Sequence, residues 1–489
     1  MKKNLAVPAF CILLCCTFPH PLKAQTAPDP ALAAAIAEIK AVDNHAHPLR
    51  VLKEGQRDTE WGSLSYHAVE TAADPGSQMP LIPYRLRPKS PEYMVVWKDL
   101  YGIPDCPLTK ETVQQVVLAK QRIMREQAGN YPAWVLDKIG IETMLANRVV
   151  MDGSLPAPRF RWVPYVDALM FPLSNDGTTG ARPDLVPSYG ALERLLKTHV
   201  KDLGLVRLPP RLEGYLAGVV TPTMERQKRG GAVAVKFLTA YLRTLDVSNP
   251  SPEQAKRVYD RYVKGGKPGV GEYKTLQDYL FRYIAREAGR LELAVHIHTG
   301  LGIGIYFDVG GSNPLLLEPV FNDPALRKTN FFITHGGWPF AKQSASMLFK
   351  PNVYADFSGI AFLNYPREVS DVLRSWLEVS PDKVLFGTDG FELDPNMPFL
   401  NWEEFTCIGM RSARRALSLA LTEMMRDGEI SHEEAVGIAR KVLRENAVRL
   451  YKLETPRAPG DVSFRDASSA RNSLPWKRPS PEPTSSAGC

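Results

Sequence analysis

Cysteine is scarce in this chain of 489 residues: there are six, and Cys11, Cys15 and Cys16 all fall in the first 24 positions. Cys106, Cys407 and Cys489 remain, odd in number and far apart, with no CxxC pair. That spacing excludes a disulfide framework, leaving room for one bridge at most, and excludes a cysteine zinc cluster. Apolar runs long enough to cross a bilayer, roughly 20 residues, are also lacking. So is a concentration of charge of one sign. The formal net charge is +7, three of it from Lys2, Lys3 and Lys23, and basic and acidic residues are mixed throughout the rest of the chain. A nucleic-acid binder concentrates its basic residues on one face, so nucleic acid is not an expected partner. No repeat recurs at a fixed period. What is there, 44% apolar and 23% charged residues, is the composition of a soluble globular protein.

The two ends differ from the middle. Lys2 and Lys3, the apolar stretch Leu5 to Cys16 and the small residue closing Leu22-Lys23-Ala24 have the layout of a secretory signal peptide. Pro8 and Pro19 interrupt the stretch, which argues against an uncleaved anchor. Residues 1–24 are therefore expected to be removed, placing the mature protein in the periplasm or outside the cell. Residues 454–489 are rich in Pro, Ser, Arg and Ala and hold too few large apolar residues to offset ordering entropy, so a disordered tail is expected.

In between, residues 25–453 alternate β-branched or apolar runs with helical patterns. The expected strands are Ile39–His47, Ile141–Arg148, Phe160–Met170, Ala232–Thr239, Leu293–Thr299, Asn330–His335, Val353–Phe357 and Val384–Thr388. Helical periodicity is clearest over Ser251–Arg290, Ser370–Val379, Cys407–Arg426 and His432–Leu450. Eight strand–helix units predict an α/β fold with a parallel sheet closed as a (β/α)8 TIM barrel. The connection over residues 49–138 is too long for a structureless loop. It predicts a mostly helical insertion after strand one, expected to cap the barrel mouth.

The histidines carry the chemical signal. Five of the nine, His45, His47, His296, His298 and His335, end three expected strands, where barrel active sites converge. Residues i and i+2 of a strand share a face, so His45 and His47 can address one ion. Asp389, ending strand eight, supplies a carboxylate to neutral imidazoles, a donor set suited to zinc and its neighbours. His296 lies about 6.6 Å deeper than His298 along the same strand face, which favours His298 as the ligand. His67, His199 and His432 fall outside this pattern and are expected at the surface, with His67 in the insertion. The glycine-rich stretch Gly300–Gly311 opens no helix after a strand in the nucleotide-binding manner and is expected to be a loop.

Taken in order, His45-Ala46-His47, Val235-Lys236-Phe237, His296-Ile297-His298-Thr299-Gly300, Thr334-His335-Gly336-Gly337 and Gly387-Thr388-Asp389-Gly390 resemble the amidohydrolase superfamily. The likeness is strongest to its amidohydrolase-related (family 2) branch and spans about Val42 to Leu450. Ala240-Tyr241-Leu242-Arg243 also looks like the branch that includes the amidohydrolase-like half of certain glutamine-synthetase-related proteins. The resemblance implies that His45 and His47 bind a buried metal and that His298 and His335 bind a second ion or line the site. It implies that Asp389 is both ligand and proton shuttle. In binuclear members a strand-four lysine, here Lys236, is carboxylated and bridges two ions. In a mononuclear site Lys236 would stay cationic and pair with Asp389 or a substrate carboxylate.

The expected cofactor is one or two divalent ions, zinc foremost, lowering the pKa of water to about 7 and polarising a carbonyl. Asp389 and His335 are the expected catalytic residues. Tyr241, Arg243 and Trp338 are the candidates for orienting a small-molecule substrate. The leading expectation is a secreted hydrolase of an amide, ester or lactone bond. A decarboxylase or isomerase of a carboxylated substrate, with Arg243 clamping the carboxylate, is the alternative on the same scaffold. A binding protein without catalysis is the third, but no expected ligand position has been lost.

Overall fold

The computed structural model describes residues 27–453 apart from 54–55, 61, 65–82, 87–89, 105–108, 180–184, 303–306 and 394–396. The expected leader (residues 1–24), the expected tail (454–489), His67 and Cys106 lie outside the described residues.

Among the described residues eight parallel strands follow one another: β1 Ala41–Ala46, β2 Ile141–Asn147, β3 Phe160–Val163, β4 Ala234–Phe237, β5 Ala294–His298, β6 Phe331–Thr334, β7 Val353–Asp356 and β8 Val384–Leu385. They pair in chain order as β1-β2-β3 and β4-β5-β6-β7-β8. Backbone bonds join the two groups at both seams. Val233 and Lys236 donate to the carbonyls of Trp162 and Pro164, while Asn44 donates to Phe386 and Asp389 to His45. Each strand thus has a hydrogen-bonded neighbour on either side, in the cyclic order of a (β/α)8 barrel.

All eight expected strands form, each shorter than its expected range, with Ala232–Thr239 reduced to Ala234–Phe237 and Val384–Thr388 to Val384–Leu385. Phe160–Met170 stops at Val163, because Pro164 has no N–H for the ladder, and Asp167–Met170 turns into a helical turn. The long Ser251–Arg290 pattern divides into helices Pro252–Tyr262 and Val270–Arg290. Gly265 and Gly266 at positive φ occupy the break. Trp402–Arg426 begins earlier than its periodicity suggests, at the capping box of Asn401 and Glu404.

The barrel interior is layered. Val42, Ala234, Ala294, Phe332 and Leu385, at the strand beginnings, form one apolar cluster closed by Ala447, Tyr451 and Leu453. Two residues further on, the same face of β4 and β5 presents Lys236 opposite His296. His298, opposite Thr334, is the next layer. Polar groups therefore collect at the carboxyl ends of the strands, above an apolar floor.

Within the insertion, helices Glu92–Tyr101, Lys110–Gln127 and Tyr131–Ile139 are described. They are tied to the first turn of Trp402–Arg426 and the loop before it. Trp97 Nε1 donates to the Phe399 carbonyl at 3.1 Å, Lys120 Nζ lies 2.9 Å from Glu403, and Tyr131 donates to Glu403 at 3.0 Å. Arg85 donates to the carbonyl of Ala361 at 3.0 Å, in the segment after β7. The insertion is thus anchored where β7 and β8 end.

Candidate active site

His45, His47 and Asp389 stand together at the strand ends, all buried, with their ligand atoms within 4.8 Å of one another. His45 Nε2 lies 3.1 Å and His47 Nε2 3.3 Å from the same oxygen, Oδ1 of Asp389. The other carboxylate oxygen is 3.8 Å from His335 Nδ1. Asp389 and His335 both adopt left-handed backbone, φ 58° and 65°, uncommon for residues with a side chain. Each sits where a strand ends and the chain must turn sharply. Gly359 packs above them, and a Cβ there would come within 3.0 Å of His335 Nδ1 and 3.3 Å of Asp389 Oδ2.

His298 and His335 form a linked pair. The Leu301 carbonyl can only accept, so His298 carries its hydrogen on Nε2. Nδ1 of His298 is then an acceptor, 3.1 Å from His335 Nε2. His335 Nδ1 lies 3.1 Å from both the carbonyl and the hydroxyl of Ser358, and 3.8 Å from the Asp389 carboxylate. Burial, and then the charge of Lys236, holds His45 well below the usual imidazole range; burial does the same to His298 and His335. All three are neutral, the form that binds a metal.

Around them lie polar partners that residue type alone did not single out. Asn147, ending β2, meets His45 Nδ1 at 2.8 Å, and Tyr165, after β3, meets His47 Nδ1 at 3.0 Å. Asp356, ending β7, accepts from the His335 backbone N–H at 2.8 Å, from Ser358 Oγ at 2.9 Å and from Asn44 at 2.8 Å. Each of these three stands at or just beyond a strand end, so the positional rule that found the histidines reaches them too.

Lys236 is wholly buried and its Nζ has no hydrogen-bond partner among the described residues. Burial lowers its pKa against the pull of Asp389, Asp356 and Asp167. Burial also pushes Asp167 up to about 7, although Leu238 and Thr239 donate to it. His296 turns elsewhere: Nε2 is 2.7 Å from the Tyr451 hydroxyl, which donates to Asn44.

Of the substrate candidates, Tyr241 reaches the site, its ring centroid 4.4 Å from that of His298 and 5.3 Å from that of Phe307. Trp338 follows the His335–Gly337 turn with its backbone N–H on the His335 carbonyl at 3.0 Å, and is partly exposed. Arg243 does not join them. Its guanidinium is 2.6 Å from buried Asp278 and bonds the Asp246 carbonyl, because the backbone extends at Arg243 and carries the side chain outward. His199 is a second correction. It is buried, not at the surface, and both ring nitrogens lack partners. In helix Val186–Asp202 it shares the buried stripe of Leu192 and Leu196, a helical spacing that could have shown this. His432 is exposed, as expected.

The donors fit a divalent ion: neutral imidazoles and a carboxylate oxygen converge with the spacing and chemistry such an ion requires. Residues 232–453 match the amidohydrolase family model. Over these residues the chain is similar to the amidohydrolase family. The family is metal-dependent, and the His45–His47–Asp389 group answers to that. Among curated proteins, protein fluG of Emericella nidulans is 26% identical over 235 residues, 45% of this chain. The chain spans 26% of the length of that relative. Two solved structures share the fold. A protein assigned as a metal-dependent hydrolase from Lactobacillus casei superposes with a TM-score of 0.56 at 16% identity, covering 86% of this chain and 97% of the other. Uronate isomerase from Thermotoga maritima superposes with a TM-score of 0.60 at 14% identity, covering 86% and 96%. Among the described residues no helix is long and apolar enough to cross a membrane.

Proposed function

We propose that this protein is a periplasmic or secreted hydrolase that cleaves an amide, ester or lactone bond of a small molecule. The observation that carries the reading is the convergence of His45 Nε2 and His47 Nε2 on one oxygen of Asp389. These three residues would hold the ion, zinc foremost, with His298 and His335 beside it. A divalent ion there supplies an activated water at neutral pH and polarises a substrate carbonyl. Asp389 accepts the proton of the attacking water and returns it to the leaving group. His335, 3.8 Å from Asp389 and 3.1 Å from His298, lies where it can pass a proton to or from Asp389. Tyr241 and Trp338 orient the substrate, and the insertion at residues 49–138 shapes what can enter.

Hydrolysis is preferred to decarboxylation or isomerisation because Arg243, the candidate carboxylate clamp, is engaged by Asp278. A second ion bridged by carboxylated Lys236 is supported by the lone buried Nζ, since leaving an ammonium there without a partner is costly. Secretion rests on the leader in residues 1–24.

Metal content and intact mass of the mature protein, prepared with bicarbonate, test the reading, followed by turnover of esters, lactones and amides. Bound zinc with hydrolysis of one of these classes is expected. Absence of tightly bound metal after reconstitution would overturn it, and decarboxylation without hydrolysis would establish the alternative.

A further inference from the structure

The two histidines where β1 ends, His45 and His47, are held from behind by different groups. His47 Nδ1 meets the hydroxyl of Tyr165 at 3.0 Å, an atom that can accept a hydrogen. His45 Nδ1 meets the side-chain amide of Asn147 at 2.8 Å, with the amide nitrogen on the imidazole side. That nitrogen also reaches the Ala46 carbonyl at 3.3 Å. The amide oxygen of Asn147 is buried and has no hydrogen-bond partner among the described residues. Asn147 and His45 are both essentially inaccessible to solvent, so water does not reach the pair freely.

The arrangement determines which nitrogen of His45 carries hydrogen. With the amide nitrogen donating, Nδ1 is an acceptor and the hydrogen sits on Nε2, donated to Asp389 Oδ1 at 3.1 Å. A ring in that tautomer has no lone pair to offer on Nε2. To give Nε2 to an ion, His45 must carry its hydrogen on Nδ1, and Nδ1–H then needs an acceptor behind it. Among the described groups in contact with Nδ1, the unpartnered oxygen of Asn147 is the atom that can serve once the amide turns over.

We infer that Asn147 is a positioning residue for metal binding, a two-position amide whose oxygen side sets His45 in the tautomer that presents Nε2 to the ion. The inference rests on the metal-site reading above. It is separate from the count of ions and from the substrate.

The test is zinc affinity of the whole mature protein by chelator competition, with the melting temperature of the zinc-free protein alongside. Asn147→Asp offers oxygens in both orientations, whereas Asn147→Leu keeps the approximate size and offers none. Asn147→Leu is expected to weaken zinc binding about 10- to 100-fold with little change in the zinc-free melting temperature. Asn147→Asp is expected to bind zinc at least as tightly as the unaltered protein. Equal zinc affinity in all three proteins would overturn the inference. So would an equal loss in both variants, which would mark Asn147 as packing alone. Should Asn147→Leu fail to fold, Asn147→Asp still decides: a tenfold or greater loss in it overturns the inference. If the unaltered protein itself binds no zinc, the metal-site reading fails first, and that outcome is seen before any variant is compared.

Discussion

His335 and His298 share a hydrogen bond of 3.1 Å, from Nε2 of the first to Nδ1 of the second. The Leu301 carbonyl fixes the far end of this chain, and the other nitrogen of His335, Nδ1, lies 3.1 Å from the Ser358 carbonyl and 3.8 Å from Asp389. His335 is thereby placed beside the carboxylate yet outside the closest group of ligand atoms, which comprises His45, His47 and Asp389. His335→Asn is expected to lower kcat by about 100- to 10,000-fold, the range for loss of a proton-transfer partner. Zinc should still bind through the other three residues. Metal analysis beside steady-state kinetics checks both halves, and a variant that loses zinc as completely as activity would make His335 a ligand instead.

Asp389 faces three histidines with its two oxygens. Asp389→Asn changes little in volume but replaces one oxygen with a donor and removes the charge. Turnover is expected to fall at least about 100-fold while the urea unfolding midpoint stays close to that of the unaltered protein. Full activity in Asp389→Asn would remove the residue from the proton path.

Much of this site could be read before any coordinates, because strand geometry does the sorting. His45 and His47 at i and i+2, and the ends of β5, β6 and β8, place donors on one rim of a barrel without knowledge of side-chain packing. Arg243 shows where that reasoning ends. Proximity to β4 in sequence places its Cα near the mouth, but the extended backbone there sends the guanidinium to Asp278. Asn147 and Tyr165 were overlooked for another reason: neither is a metal-binding type, and their roles depend on which histidine nitrogen they meet. The anchoring of the insertion through Lys120, Glu403 and Tyr131 depends on side chains 270 or more residues apart, for which one sequence offers no pairing signal.

Lys236 separates the two metal counts. Lys236→Ala is expected to abolish most turnover, since it removes the only long side chain that β4 presents among Asp389, Asp356 and Asp167. Short carboxylic acids added with zinc should restore part of the activity if the native lysine is carboxylated. Restoration by short amines and not by acids would assign a cation. The intact mass gives an independent check, through an excess of about one carbon dioxide that is absent from Lys236→Ala.

Behind β1, Arg148 is fully buried and pairs with Asp58 at 2.8 Å, while Arg50 reaches the same carboxylate at 2.9 Å. The pair ties the segment after His47 to the end of β2, and Arg148 also donates to the Pro48 carbonyl at 2.7 Å. Burial alone would raise the Asp58 pKa, but hydrogen bonds and charge from Arg148 and Arg50 bring it down to about 2. A carboxyl with its pKa depressed in the folded state stabilises the fold above its unfolded value, about 4. That stabilisation is lost as pH falls from about 4 through 2. Asp58→Ala leaves Arg148 charged and buried without its carboxylate, and should cost about 3–5 kcal/mol. Urea unfolding at pH 7 and at pH 3 checks the claim: the gap between Asp58→Ala and the unaltered protein should be large at pH 7 and smaller at pH 3. A gap that does not change with pH would mean that packing around residue 58, rather than its charge, holds the segment after β1.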